Sequence, residues 1–204
     1  MHIIPTFIFA QTIFDMIDGG CPMKSKKKKK SAAILIFLGI LIIMIAALVV
    51  VDQQSKKQMD SVENAYGIAA SKLNPATREL LSDPNYQQII VPTDLKAKID
   101  NKDSFFVYFF ASDCSHCRAT TPQLMPLVDS EGIELPQFNL REFEAGWTDY
   151  NIEFTPTLVY YEAGVEKDRM VGGLQENGSD QGYTPDDYKQ FFQKYKGSAT
   201  PSAS

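Results

Sequence analysis

The sequence predicts an α/β domain with a mixed central sheet flanked by helices, preceded by one N-terminal transmembrane helix. Three observations predict it. An uncharged apolar run extends from Ala32 to Val51. From about residue 84 onward, strand-like and helix-like segments alternate, the pattern of an α/β layer fold. The segment Phe105 to Ala111 is continuously apolar and rich in aromatics, as a central strand buried on both faces should be.

The apolar run holds twenty residues. At about 1.5 Å per residue it spans roughly the 30 Å hydrocarbon core of a bilayer. A buried helix of a soluble protein is the alternative, but such helices seldom lack a polar face over their whole length. Lys24 and Lys26 to Lys30 stand just before the run. By the positive-inside rule that end stays in the cytoplasm and residues 52 to 204 lie outside. A cleaved signal peptide, with Ala46-Ala47 near the cleavage site, competes with this reading. Signal cores usually hold about 7–15 residues, so an uncleaved anchor is favoured. Lipid attachment through Cys21 is weaker, because residues 1–20 lack a basic n-region and Cys21 falls on the cytoplasmic side.

Met23, the lysine cluster and the apolar run already make a complete N-terminus for an anchored protein. Asp18-Gly19-Gly20 is what a purine-rich ribosome-binding sequence would read as if translated, with two codons left before Met23. Translation is therefore expected to start at Met23, leaving Cys114 and Cys117 as the only cysteines of the product. The expected plan is an upstream extension outside the translated protein (1–22), a cytoplasmic basic segment (23–31), a transmembrane anchor (32–51), an extracytoplasmic stalk (52–83), the α/β domain (84–196) and a disordered tail (197–204).

Charge is segregated along the chain. The whole sequence carries −5, but residues 52–204 hold 14 Lys/Arg against 23 Asp/Glu, a net −9. An acidic ectodomain argues against nucleic acid or anionic lipid as its partner.

Residues 52–83 are polar and helix-permissive, with apolar points at Val62, Tyr66, Ala69, Leu73 and Leu80. Asn74-Pro75 and Asp83-Pro84 interrupt them, so a stalk or peripheral helices are expected. Tyr86 to Val91 is a short strand candidate. Thr93 can cap a helix running through Asp100. A helix should open at the cysteine motif and be bent or ended by Pro122 and Pro126. Leu135 to Leu140 reads as a second, parallel strand. Thr157–Tyr161 and Lys167–Val171 form a hairpin around Ala163-Gly164. Thr184-Pro185-Asp186-Asp187 starts a final helix, whose apolar face is Phe191, Phe192 and Tyr195.

Cys114-Ser115-His116-Cys117 carries the chemistry. It follows a buried strand directly and opens a helix. Free backbone N–H groups and the helix dipole then favour a thiolate on the first cysteine. Settings of this kind lower a cysteine pKa from about 8.5 to roughly 3.5–7.5. His116 can add to the effect by charge or by hydrogen bonding. A stabilised thiolate stabilises the reduced form and makes the disulfide more oxidising. Redox chemistry is the favoured reading of the pair, with a structural disulfide and a metal site as alternatives. A zinc site would need further ligands, and no second CxxC or HxxxH exists in the chain. Haem attachment would need His where Arg118 stands. A bridge across two residues restrains little chain entropy, which weakens the structural reading.

The run from Phe106 to Arg118, FVYFFASDCSHCR, resembles the active-site strand and helix of the thioredoxin-like fold family. About forty residues later, Phe154-Thr155-Pro156-Thr157-Leu158 resembles that family's cis-proline loop. Ala163-Gly164 and Val171-Gly172-Gly173 follow in register. The resemblance implies that Thr155-Pro156 is cis and lies against the cysteine pair. It implies that substrate backbone pairs there, that Cys114 attacks the substrate sulfur, and that Cys117 is the buried resolving residue. Two positions depart from the family. Tyr108 stands where thioredoxins keep a buried acid, so the usual proton shuttle is missing. Asp113 replaces a tryptophan, and its carboxylate should raise the Cys114 pKa by like-charge repulsion. Trp147 falls in a loop that either faces the site or packs in the core.

The function expected from residues and resemblance together is a membrane-anchored extracytoplasmic thiol–disulfide oxidoreductase, of the kind found in Gram-positive bacteria. Its site residues would be Cys114, Cys117 and His116, with Thr155 and Pro156 binding substrate. It would need no cofactor beyond the redox-active Cys114–Cys117 disulfide. Its partners would be cysteine-containing secreted or envelope proteins, a separate redox-recycling protein, and the membrane through residues 32–51. His116 and the compartment favour oxidation or isomerisation over reduction. The alternative is an accessory module of a secretion, conjugative-transfer or bacteriocin-export system that uses its cysteines little.

Overall fold

The computed structural model describes residues 26–61, 63–176 and 181–198, with side chains from residue 34 onward. The expected upstream extension (1–22), Val62 and residues 199–204 of the expected tail lie outside the described residues. Two compact units divide between Gln53 and Gln54.

The first unit is supplied by α1, Lys26–Asp60, whose last residues belong to the second. Every large apolar side chain from Ile34 to Val51 is exposed. This is the one helix among the described residues long and apolar enough to cross a membrane. A helix apolar all round cannot satisfy itself in water without burying a face, and this one buries none.

In the second unit, α2 (Pro75–Leu80), α3 (Pro92–Asp100), β1 (Phe105–Phe110), α4 (Ser115–Glu131), β2 (Gln137–Asn139), α5 (Gly146–Asp149), β3 (Thr157–Glu162), β4 (Val165–Val171) and α6 (Pro185–Tyr195) follow in order. The sheet runs β2-β1-β3-β4. β1 is parallel to β2 and antiparallel to β3, and β3 is antiparallel to β4, so the sheet is mixed as expected. All six residues of β1 are buried. Their alternation divides the core in two. Phe106, Tyr108 and Phe110 meet Leu124 and Val128 of α4 and Phe192 of α6 on one face. Phe105, Val107 and Phe109 meet Leu95 of α3 with Phe138 and Ile152 on the other. Phe106 stands edge-on to Phe192, with ring centroids 5.3 Å apart. Truncating such a core phenylalanine to alanine costs about 3–5 kcal/mol.

The β3–β4 hairpin turns at Ala163-Gly164, both at positive φ (51° and 76°). A side chain at Gly164 would also strike the Ile99 carbonyl oxygen at 2.2 Å. α6 begins with a reciprocal capping box between Thr184 and Asp187.

Four expectations are corrected. Tyr86–Val91 is not a strand: Pro84–Tyr86 winds into a 3-10 turn, and only Ile89 bridges Gln137. The adjoining backbone bonds, Ile90 N–H to Gln137 O and Gln137 N–H to Gln88 O, still cover the outer edge of β2. Thr93 does not cap α3. The helix starts at Pro92 after Val91, without a side-chain cap, and the Thr93 hydroxyl turns to Asp94.

Neither Pro122 nor Pro126 ends α4, which continues to Glu131. Both prolines lie on its exposed side, where the carbonyls they leave unpaired reach water. The buried stripe of Cys117, Thr121, Leu124, Met125 and Val128 holds the opposite side on the sheet. The last correction concerns the stalk alternative for residues 52–83; the peripheral-helix alternative fits α2. From Tyr66 onward the segment packs into the second unit. Tyr66, Ala70 and Leu73 form a small buried cluster beside Phe143, and Leu80 joins the main core.

Candidate active site

β1 ends in the centre of the sheet, and the next three residues turn the chain from strand into helix. Cys114 is the N-cap of α4 (φ −80°, ψ 121°), with its sulfur accepting the Cys117 N–H at 3.4 Å. Its own N–H is held by the Ala111 carbonyl at 3.0 Å. The backbone groups that a helix start leaves unpaired therefore point at this sulfur. Cys117 follows one turn later and is fully buried. Both thiols are free.

The two cysteines are driven apart electrostatically. Cys114 is held down to about 5, chiefly by a hydrogen bond from the Cys117 thiol. Desolvation opposes this, while the Thr155 side chain and the backbone N–H groups of Cys117 and His116 add to it. Burial pushes Cys117 far above its ordinary range, and its role as donor to Cys114 pushes it further. One sulfur is thus a thiolate and the other a thiol.

The wall opposite is the loop before β3. Thr155-Pro156 is a cis peptide bond. The Cys114 sulfur lies 3.5 Å from the Thr155 carbonyl oxygen, which puts the 114 and 155 positions in direct contact. Pro156 is buried, and its carbonyl accepts the Gly172 N–H at 2.8 Å. Thr120 of α4 closes the arrangement by accepting the Leu174 N–H at 3.0 Å. Gly173 is squeezed between: a Cβ there would sit 2.1 Å from the Thr120 hydroxyl and 3.3 Å from the Pro156 ring. A cavity of about 420 Å³ opens beside this wall, bounded by His116, Phe154, Thr155, Leu174 and Glu176. Phe154 is 65% exposed at its rim.

Two side-chain expectations are corrected. The imidazole of His116 has a partner other than Cys114: its Nδ1 pairs with Glu176 Oε1 at 2.8 Å. What His116 gives the sulfur is its backbone N–H. Nor does Asp113 raise Cys114. Asp113 is not among the groups that set Cys114, and its exposed carboxylate is paired with Arg141 at 3.2 Å, which offsets part of the like charge. Trp147 packs against the second core cluster while also edging a depression shared with Asp113 and Arg141.

Behind Cys117, Tyr108 is fully buried. Thr121 donates its hydroxyl proton to the Cys117 carbonyl at 2.8 Å, so the Tyr108 hydroxyl, 3.1 Å from Thr121, is the donor of that pair. Burial raises Tyr108 well above a tyrosine's usual range, so it supplies an anchored hydrogen bond and not a base. Among the described residues no group of three or more His, Cys, Asp or Glu side chains is placed to hold a metal ion.

Sequence reasoning missed a second layer of polar residues. Thr77, Ser112 and Asn139 are all fully buried beneath the cysteine loop. Their signal in the sequence is faint, a polar residue inside or just after an apolar run, and the bonds that join them to one another and to Tyr66 span 27 to 73 residues.

Known proteins resemble this chain over the same region. The family model described as thioredoxin matches residues 87–180. Thioredoxin of Mycoplasma genitalium is 32% identical over 72 residues, 35% of this chain and 71% of that protein. The chloroplastic M-type thioredoxin of Spinacia oleracea is 21% identical over 116 residues, 55% of this chain and 60% of that one, so this chain spans less than two thirds of its length. The oxidised mitochondrial thioredoxin 3 of Saccharomyces cerevisiae aligns with a TM-score of 0.43 and 16% identity, covering 52% of this chain and 93% of that chain. With a one-third identical relative matched over most of its length, and the cysteine pair, mixed sheet and cis-proline loop in their places, the chain belongs to the thioredoxin family.

Proposed function

We propose that the chain is a membrane-anchored, extracytoplasmic thiol–disulfide oxidoreductase that exchanges disulfides with secreted or envelope proteins. The observation that carries this reading is the split pair: an exposed-side thiolate at Cys114, a buried thiol at Cys117, and the Thr155-Pro156 backbone against them. The thioredoxins that the chain resembles lend the same chemistry. The apolar helix and its lysines support anchoring through residues 32–51, with the second unit outside.

In the reducing direction, the Cys114 thiolate attacks a substrate disulfide, forms a mixed disulfide and releases one substrate thiolate. Cys117 then gives up its proton and attacks Cys114. The substrate leaves with two electrons, and Cys114–Cys117 becomes the disulfide. Oxidation of a substrate dithiol is the reverse. The low value at Cys114 stabilises the dithiol form, which favours oxidation and isomerisation over reduction. No bound cofactor is required, since the pair itself carries the electrons, and a second dithiol or disulfide protein must recycle it.

Cys114→Ala should abolish both insulin reduction and oxidative refolding of a reduced substrate. Cys117→Ala should accumulate mixed disulfides. A membrane-impermeant thiol reagent should label Cys114 from the outer face of intact cells. Unchanged activity in Cys114→Ala would remove the enzyme reading and leave the accessory-module alternative.

A further inference from the structure

Ser112 lies two residues before the nucleophile and is fully buried, yet all three of its polar groups are paired. Its hydroxyl meets the Thr77 hydroxyl at 2.7 Å. Its N–H donates to Asn139 Oδ1 at 3.3 Å. Its carbonyl accepts Arg118 Nε at 3.0 Å. All three ties lead into the segment before the family match, the first directly and the others through one intervening side chain. Thr77 belongs to α2, and Arg118 reaches Glu79 of the same helix at 2.7 Å. The third, Asn139, donates to Tyr66 Oη and Thr77 Oγ1 at 3.1 and 3.3 Å.

We propose that the segment Tyr66–Leu80 is a positioning element of the redox site, with Thr77 and Glu79 fixing the Ala111–Asp113 turn and the first turn of α4 from which Cys114 is presented. The proposal rests on reading Cys114 and Cys117 as the redox pair. Packing alone does not call for these hydroxyls. A valine fills the volume of Thr77, and burying two hydroxyls in place of methyl groups is near-neutral for stability when they are paired. What the pairing adds is a fixed separation between α2 and the turn. That separation matters because the Cys114 sulfur is held by donors of the first turn of α4, among them the Cys117 N–H at 3.4 Å, and a hydrogen bond weakens as its donor is turned away. The Ala111–Asp113 turn holds the Cys114 N–H through Ala111. A small displacement of Ser112 therefore moves the sulfur off its donors before it unfolds anything.

The test uses the full chain, reduced, in detergent micelles. Cys114 is modified with a neutral methanethiosulfonate reagent across pH and counted by peptide mass spectrometry, so that Cys21 and Cys117 are scored apart. Thr77→Val should move the midpoint upward by about half a pH unit and slow modification in the acid range about twofold, because the thiolate lost is partly offset by the greater nucleophilicity of a more basic sulfur. Thr77→Ser should restore the wild-type curve, and Glu79→Gln should shift it in the same direction by less. A wild-type midpoint in Thr77→Val overturns the proposal, even if the variant melts earlier. Equal shifts in Thr77→Val and Thr77→Ser overturn it too. If Thr77→Val does not fold, the exposed Glu79→Gln carries the test, and a wild-type midpoint there overturns it. A wild-type protein without an acid-range midpoint would instead overturn the redox reading itself.

Discussion

Reduced protein treated with a methanethiosulfonate reagent should lose the Cys114 thiol along a pH curve with its midpoint at about 5. The size of the effect depends on where it is read. At about pH 6 a cysteine at its ordinary 9.0 is roughly 0.1% thiolate, whereas one at about 5 is roughly 90%, a ratio on the order of 900. Thiolate nucleophilicity falls with pKa at a Brønsted slope of about 0.4–0.5, so four units take back roughly 40- to 100-fold. The net advantage over the same cysteine in denatured protein is then about 10- to 20-fold at about pH 6. At about pH 7 the two effects nearly cancel, and the folded site gains about twofold or less. A comparison at neutral pH alone would therefore miss the site. A Cys114 rate that climbs about tenfold per pH unit up to about pH 8, with no plateau, would refute the reasoning.

Other outcomes test neighbouring parts of the site. Cys117→Ala removes the largest contributor to the Cys114 thiolate, so the modification midpoint should rise; an unmoved midpoint would assign the effect to the backbone donors alone. Gly173→Ala drives a methyl group into the Thr120 hydroxyl at 2.1 Å and should cost about 1–3 kcal/mol, read as a melting temperature lower by about 2–4 °C per kcal/mol. An unshifted melt would contradict the packing described around Pro156. Linkage gives a further sign. Cys114 is depressed on folding from 9.0 to about 5, so between those values the reduced unfolded chain holds a proton that the folded chain has lost. The reduced form should gain stability relative to the disulfide form as pH rises through that window, and lose it as pH falls through about 5. Cys117, raised by burial, opposes this only above its ordinary 9.0. Thermal unfolding of both forms at about pH 5 and about pH 8 reads the difference; a gap that does not shift toward the reduced form contradicts the assignment.

The parts of the fold visible in the sequence are those whose cause is local. Phe105–Phe110 announces a buried strand by composition, Ala163-Gly164 a tight turn by its tolerance of positive φ, and Thr184-Pro185 a capped helix start. The cysteine spacing and the Thr155-Pro156 loop were likewise legible, the second only through the resemblance. What escaped has non-local causes. Tyr66, Leu73 and Leu80 recur every seven residues, a helical spacing, but Asn74-Pro75 breaks the run, and their burial is decided by Phe143 and the main core. Pro122 and Pro126 look like breaks until their exposed face is known. The ion-pair partners of His116 and Asp113 are not legible in the sequence, because Glu176 and Arg141 lie 60 and 28 residues away.

The equilibrium of the full-length protein with reduced and oxidised glutathione tests the redox assignment most directly. The Cys114–Cys117 pair should titrate as one two-electron couple, with a potential less negative than about −230 mV and lying toward the −120 mV of strong oxidants. A pair that resists reduction below about −300 mV, as structural disulfides do, or that never forms a disulfide, would contradict it.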